Sequence, residues 1–273
     1  MFDWIAQFFS YPFLARAAVV GVLVSLCAAL LGVSLVLKRY SMIGDGLSHV
    51  GFGALAVAAA TGAAPLAVSI PVVVAAAFFL LRLSQNSTIR GDSAIAVFST
   101  ASLAIGVIVL SLTTGLNTDL NNYMFGSILS MSESDVTLSV WLCVAVLILF
   151  VLFYNKIFAV TFDEGFAQAT GIRVKLYNMI IALLTAITIV LGMRMMGALL
   201  ISSLIIFPAL TAMRICRRFI TVVLGAAVIS VFCFLSGLLL SFTLSTPSGA
   251  SVVLVNLLVF LLFSGVGAFR ERR

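Results

Sequence analysis

Long apolar stretches, separated by short polar connections, repeat along almost the whole chain. Nine of them are candidates for helices that cross a membrane, which takes about 20 apolar residues. They occupy residues 17–37, 47–60, 65–83, 93–113, 136–154, 176–192, 195–213, 219–241 and 250–269. The sixth and seventh are so close that a tight turn must join them. The pattern predicts an all-α, polytopic integral membrane protein with about nine transmembrane helices, between eight and ten.

Composition supports this fold class and excludes a water-soluble protein. Hydrophobic residues make up 63% of the 273 residues and charged residues make up 9%, whereas soluble domains carry about 25% charged residues. So few charges cannot cover a soluble particle of this size. The aromatic first segment, residues 1–16, is predicted to lie in the membrane interface as an amphipathic segment in contact with lipid.

The basic residues are unevenly distributed along the chain. If nine spans alternate across the bilayer, 13 of the 15 lysines and arginines fall on one side, and Arg16 and Arg194 fall on the other. Cytoplasmic loops are enriched in these residues, so the amino terminus is predicted outside and the carboxyl terminus inside. The same placement explains the net charge of +6, and no nucleic-acid partner is expected.

Two ionisable residues, Asp45 and His49, lie at the second apolar stretch. Their spacing places them on one face of a helix, about 6 Å apart along its axis. Ionisable groups at membrane depth are costly and indicate a functional site. A carboxylate and an imidazole are both ligands of first-row transition metals. Nearby glycines would let the helix unwind or be approached closely: Gly44, Gly46, Gly51 and Gly53.

An alternative interpretation makes this pair structural, with an Asp–His hydrogen bond that ties the helix to a neighbour. Further ligands are not evident, because His49 is the single histidine of the chain. Met193, Met195 and Met196 are candidate soft ligands, but core packing is the stronger interpretation. A single histidine argues against a closed structural site and favours a site that must release its ion.

The connection 155–175 is the longest on the basic side, and a short helix is predicted inside it. Thr161 and Glu164 have the spacing of a capping box, and Gly171 suits the position just after a helix. We expect this helix to pack on a soluble partner; a plain surface helix is the alternative. Its predicted residues are Thr161, Phe162, Asp163, Glu164, Gly165, Phe166, Ala167, Gln168, Ala169, Thr170 and Gly171.

Several other chemistries have no motif in this sequence. It contains no H-E-x-x-H, no G-x-S-x-G and no G-x-x-x-x-G-K-[ST], so neither a protease nor a nucleotide-hydrolysing subunit is predicted. No permanently bound cofactor is expected. The outer connection 117–134 contains YMFGSIL, which is predicted to form a re-entrant or interfacial piece.

Four motifs in order along the chain carry a resemblance to a known family. SMIGDGLSHVGFGALAVA, YMFGSIL, FDEGFAQATGI and MMGALLISSLIIFPALTA resemble the permease subunits of zinc- and manganese-type ABC importers. The resemblance covers most of the chain. It implies one transmembrane permease domain over residues 1–273, in the cytoplasmic (plasma) membrane of a bacterium.

The resemblance also implies partners and a role for each motif. The permease would form a homodimer, or pair with a paralogous permease, with the path near the subunit interface. Separate cytoplasmic ABC ATPase subunits would use the ATP, and an extracellular or periplasmic metal-binding protein would deliver the ion. Asp45 and His49 would hold the metal, and residues 162–171 would form the coupling helix for the ATPase.

Zinc is the expected substrate, because GDGLSHVGFGA resembles the zinc branch more than the manganese branch. One aspartate and one histidine from each of two copies would give zinc four ligands. Manganese or iron, carried by the same machinery, is the first alternative. A proton-coupled secondary metal transporter and a non-transporting membrane scaffold are alternatives of other classes.

Overall fold

A computed structural model describes residues 12–86, 91–113 and 133–271. The described residues form eleven helices, of which nine are long and apolar enough to cross a membrane. In chain order they are α1 (Pro12–Leu37), α2 (Ser41–Thr61), α3 (Pro65–Asn86), α4 (Gly91–Thr113), α5 (Glu133–Leu152), α6 (Tyr154–Phe162), α7 (Glu164–Ala169), α8 (Val174–Met196), α9 (Ala198–Ile215), α10 (Phe219–Leu244) and α11 (Ser248–Glu271). The predicted fold class and the count of nine spans are confirmed.

Some boundaries differ from those expected. Helix α1 begins at Pro12, so the last residues of the predicted interfacial segment 1–16 belong to the first span. Proline suits the first turn of a helix because the backbone N–H that it lacks has no acceptor there. Residues 1–11 of that segment, and most of the connection 117–134, lie outside the described residues. The described part of that connection, residues 133–134, is the start of α5.

Helix α2 is the most glycine-rich span, and it packs directly on the backbone of α4. A Cβ on Gly53 would lie 2.8 Å from the carbonyl oxygen of Ser102, closer than real Cβ atoms come. The helix is continuous from Ser41 to Thr61. The glycines therefore serve close packing here, and the unwinding that they also allowed does not occur. The helix starts six residues earlier than predicted, so Asp45 lies inside it.

Helices α8 and α9 form a hairpin with a single connecting residue, which confirms the predicted tight turn. Gly197 has φ 87° and ψ 160°, a region of backbone space that is open almost only to glycine. The chain reverses direction at Gly197, as is shown by the side chain of Ile201 in α9, which packs against Gly192 in α8.

Charged contacts define two opposite rims of the helix bundle. At one, which we call the Arg16 rim, Arg16 Nη2 lies 2.6 Å from Glu133 Oε1, and Arg194 Nη2 lies 3.8 Å from Asp135 Oδ2. This rim therefore contains the start of α1, the start of α5 and the end of α8. At the other, the Lys38 rim, Lys38 bonds to Glu164. The sequence analysis placed Arg16 and Arg194 together, on the side opposite to the other basic residues, and these two arginines do lie on the same rim.

The connection between α5 and α8 contains two helices where one was predicted. Helix α6 runs through Phe162, so Thr161 lies in its last turn and does not cap the next helix. The cap is Asp163, whose extended backbone lets its carboxylate accept a 2.9 Å hydrogen bond from the N–H of Phe166. The predicted capping box is therefore wrong. The predicted end is confirmed, because Gly171 follows the helix with a positive φ of 82°.

Candidate metal site and coupling segment

Helix α2 brings Asp45 and His49 together, one turn apart on one face. His49 Nε2 lies 3.7 Å from Asp45 Oδ2, and their side chains are 25% and 46% exposed. This separation is longer than a hydrogen bond, so the two side chains do not bond directly to each other. A separation of 3.7 Å is close to that of two ligands on one metal ion, because zinc–nitrogen and zinc–oxygen bonds are each about 2.0–2.2 Å long.

Ser202 of α9 is a third polar group at the site, and the sequence interpretation missed it. Its hydroxyl donates a hydrogen bond of 3.2 Å to Asp45 Oδ1 and lies 3.4 Å from the hydroxyl of Ser48. Ser48 itself donates to the carbonyl of Gly44, at 2.8 Å. Ser202 thus fixes one carboxylate oxygen and leaves the other, Oδ2, turned towards His49.

The site lies on an open face of the chain. On α2, Met42 is exposed and Asp45 and His49 are partly exposed, while the residues between them are mostly buried. On α9, Leu199 is exposed, and Ser202 and Ile206 are partly exposed. A charge that faces lipid costs about 2.5 kcal/mol or more. This face therefore requires water or another protein surface against it.

The chain offers two candidate metal ligands at this site, Asp45 and His49. Among the described residues there is no group of three or more His, Cys, Asp and Glu side chains that could hold a metal. The three methionines considered as soft ligands, Met193, Met195 and Met196, are all buried in the core, which confirms the packing interpretation. The methyl group of Met193 faces Gly51 of α2. A shell of four His, Cys, Asp or Glu ligands would thus need side chains from outside the described part of the chain.

The predicted coupling helix, residues 162–171, presents aromatic side chains on the Lys38 rim. Ala167 is buried and holds the short helix α7 against the bundle, while Phe162 and Phe166 are exposed. Phe162 is supported by ring contacts with Phe158 and Phe219, at centroid distances of 4.9 and 5.7 Å. Exposed aromatic rings on a rigid support are typical of a protein-binding surface.

Comparison with known proteins shows the family of the chain. Residues 10–266 match the family described as the ABC 3 transport family. The chain belongs to this family. It is therefore the membrane-spanning permease subunit of an ABC transport system, and ATP hydrolysis is carried out by a separate subunit. The resemblance drawn from the four motifs is confirmed.

The relatives within the family are named for different metals. The chain is 31% identical to the high-affinity zinc uptake system membrane protein of Haemophilus influenzae, over 92% of this chain and 97% of that protein. It is 30% identical to the manganese transport system membrane protein of Halalkalibacterium halodurans, over 94% and 88%. It is also 27% identical to the chelated iron transport system membrane protein of Yersinia pestis, over 100% and 93%.

A solved structure shares the whole architecture. PsaBC from Streptococcus pneumoniae, in complex with a Fab, superposes with a TM-score of 0.86 at 26% identity, over 96% of this chain and 94% of that chain. An inward-facing metal-chelate type ABC transporter superposes with a TM-score of 0.74 at 13% identity. The second similarity concerns the fold alone.

Proposed function

We propose that the chain is the permease subunit of an ATP-driven importer that moves a divalent transition metal, most readily zinc, into the cytoplasm. The observation that supports this proposal is the convergence of Asp45 Oδ2 and His49 Nε2, 3.7 Å apart, on an open face of a spanning helix. An imidazole and a carboxylate together suit zinc. Half-exposed ligands suit an ion that must enter and leave.

A second copy of the chain would complete the site. Two ligands from each copy, related by a twofold axis, would give the four that zinc prefers. The same contact would cover the open face of α2 and α9, where an exposed carboxylate is unfavourable against lipid. A paralogous permease with the same two residues would serve equally well.

Transport would proceed by alternating access. A metal-binding protein outside the membrane delivers the ion, Asp45 and His49 hold it briefly, and the ion leaves inwards when the ATPase subunits cycle. The ATPase would dock on α7 and its exposed Phe166. Manganese and iron are the second candidates, because Asp45 and the hydroxyl of Ser202 give the site oxygen ligands, which manganese favours, and because relatives are named for these metals.

The test is metal uptake by proteoliposomes that contain this chain, its cognate ATPase and its binding protein. We expect ATP-dependent uptake of ⁶⁵Zn²⁺, with Mn²⁺ and Fe²⁺ measured in parallel. ATP-dependent uptake of Mn²⁺ or Fe²⁺ without Zn²⁺ would replace the metal and keep the machinery. Uptake driven by a proton gradient in the absence of the ATPase would refute the proposal in favour of a secondary transporter. No uptake of any metal would favour a scaffold.

We also propose that the Lys38 rim faces the cytoplasm of a bacterial cell, which puts the amino terminus outside and the carboxyl terminus inside. The side with 13 of the 15 lysines and arginines is the cytoplasmic one by the positive-inside rule. The opposite side carries Arg16 and Arg194, which pair with Glu133 and Asp135, respectively.

The native cysteines provide a test of this orientation. Cys27, Cys143 and Cys233 are buried, whereas Cys216, just after α9, is partly exposed. A membrane-impermeant maleimide is therefore expected to label inside-out vesicles at Cys216 and to leave intact cells unlabelled. Cys216→Ser, a matched control, should remove the label from the vesicles. Labelling of intact cells at Cys216 would reverse the proposed orientation.

A further inference from the structure

We propose that Lys38 is the residue that transmits movement of α7 to the metal-site helix α2. This inference rests on the proposed function, since it concerns how an ATPase bound at α7 would act on Asp45. Lys38 follows the last residue of α1 and precedes Asp45 by seven positions. It acts as a positioning residue and touches neither the metal nor the ATP.

The ammonium group of Lys38 is almost fully buried and is bound from three directions. Its side chain is 5% exposed. The nitrogen donates to the carbonyl of Val160 in α6 at 3.0 Å, to Glu164 Oε1 in α7 at 2.6 Å, and to Asn178 Oδ1 in α8 at 2.7 Å. An ammonium group has three donors, so all of them are used. One side chain thereby joins α6, α7 and α8 to the end of α1.

Glu164 is the matching contact on α7. Besides accepting from Lys38, its Oε1 accepts a hydrogen bond of 3.1 Å from Nδ2 of Asn178. Among the described residues, Glu164 is the one side chain of α7 that hydrogen-bonds to a spanning helix or its end. The six-residue helix is too short to hold a position by itself, so its attachment to the bundle depends on this contact and on the burial of Ala167.

The turn after Lys38 connects this contact to the metal site. The turn is tight, because the N–H groups of Lys38, Arg39 and Tyr40 donate to the carbonyls of Ser34, Val36 and Leu35, respectively. Arg39 has a positive φ of 59°, which is strained for a residue with a side chain. Helix α2 begins directly after Tyr40. With so little slack, a displacement of Lys38 must tilt or shift the start of α2 and so move Asp45.

The hydrogen bond and the opposite charges of Lys38 and Glu164 favour the ionised forms of both groups. Burial lowers the pKa of Lys38, and its hydrogen bond to Glu164 and the charge of that group oppose this shift. Burial raises the pKa of Glu164, but the hydrogen bonds from Lys38 and Asn178 and the charge of Lys38 outweigh it, so that the pKa of this carboxyl is lowered. Because the folded pKa of Glu164 lies below its usual value, the stability that this contact contributes is present above the usual value and is lost as the pH falls through the lowered pKa.

The test compares metal uptake per ATP hydrolysed in proteoliposomes, with ⁶⁵Zn²⁺ or Mn²⁺ according to the metal that the wild type carries. Lys38→Met keeps the length of the side chain and removes its charge, and Glu164→Gln keeps the shape of the carboxylate. We expect both variants to retain the ATPase in the complex and to hydrolyse ATP, with uptake per ATP at least about fivefold lower, a usual size for coupling between sites. The double variant should be no worse than either single variant, because one contact is lost in all three.

The matched control is Arg16→Met, which removes an ion pair of the same 2.6 Å length from the other end of α1. It should leave uptake per ATP unchanged. If Lys38→Met does not fold, Glu164→Gln still decides the question. The side chain of Glu164 is half exposed, so this substitution disturbs the buried core less. Wild-type uptake per ATP in Glu164→Gln, or additive losses in the double variant, would overturn the inference. A wild-type complex that carries no metal would instead refute the proposed function.

Discussion

Asp45→Asn and His49→Ala are each expected to abolish ATP-dependent metal uptake while the complex with the ATPase still assembles. Asn keeps the size of Asp45 but loses the charge that attracts a cation, and Ala removes the only imidazole. Loss of a group that merely supports a metal ligand costs about 10- to 100-fold in affinity or activity. Loss of a ligand itself should therefore lower uptake by at least about 100-fold, measured as ⁶⁵Zn²⁺ or Mn²⁺ accumulation.

Two adjacent serines of α9 provide a graded comparison and a control. Ser202→Ala removes the donor to Asp45 Oδ1 and should weaken uptake by about tenfold, at the lower end of the range for a supporting group. Ser203 is buried, and its hydroxyl has no hydrogen-bond partner in the described part of the chain, so Ser203→Ala should be neutral. Normal uptake in Asp45→Asn and His49→Ala would show that the pair is structural and that the path lies elsewhere.

Phe166→Ala is expected to release the ATPase from the permease. Phe166 is 65% exposed on α7. An aromatic anchor at the centre of an interface contributes about 2 kcal/mol or more, which is about 30-fold in Kd. The cap of α7 should survive, because Asp163 accepts from the backbone N–H of Phe166 and not from its side chain. The measurement is the Kd between the purified permease in detergent and the ATPase subunit.

Phe232→Ala is the matched control for this experiment. Phe232 lies in the spanning helix α10 and is 61% exposed, so it presents nearly the same ring area on a different surface. Its replacement should leave the Kd unchanged. If Phe166→Ala binds the ATPase as tightly as the wild type does, α7 is a plain surface helix and the docking surface must be sought on other parts of the Lys38 rim.

Hydropathy alone predicted the nine spans because a membrane-crossing helix needs only length and apolar composition. It placed the start of α2 too late, since Asp45, Ser48 and His49 lower the hydropathy of its first turns. Their helical spacing nevertheless predicted that Asp45 and His49 share a face. The open exposure of this face depends on which helices pack around α2, and a single sequence does not specify that packing.

The two details that sequence reasoning did not find both depend on contacts between distant segments. Thr161 was the predicted cap, and it is not one because α6 continues past it to Phe162. The Val160 carbonyl of α6 is bound by Lys38, more than 120 positions earlier in the chain. Ser202 and Ser203 are neighbours with the same chemistry. Only the rotation of α9 against α2 decides that Ser202 reaches Asp45 and that Ser203 does not.

Gly197 is the single residue between α8 and α9, so we expect the movements of these two helices to be linked. Because no loop separates them, we expect a tilt of α8 to shift the first turns of α9 as well. Helix α8 carries Asn178, which contacts Lys38 and Glu164. The second turn of α9 carries Ser202, which donates to Asp45. In the proposed coupling, a displacement at the Lys38 rim would therefore reach Asp45 in two ways, through α2 itself and through Ser202, the hydrogen-bond donor to Asp45.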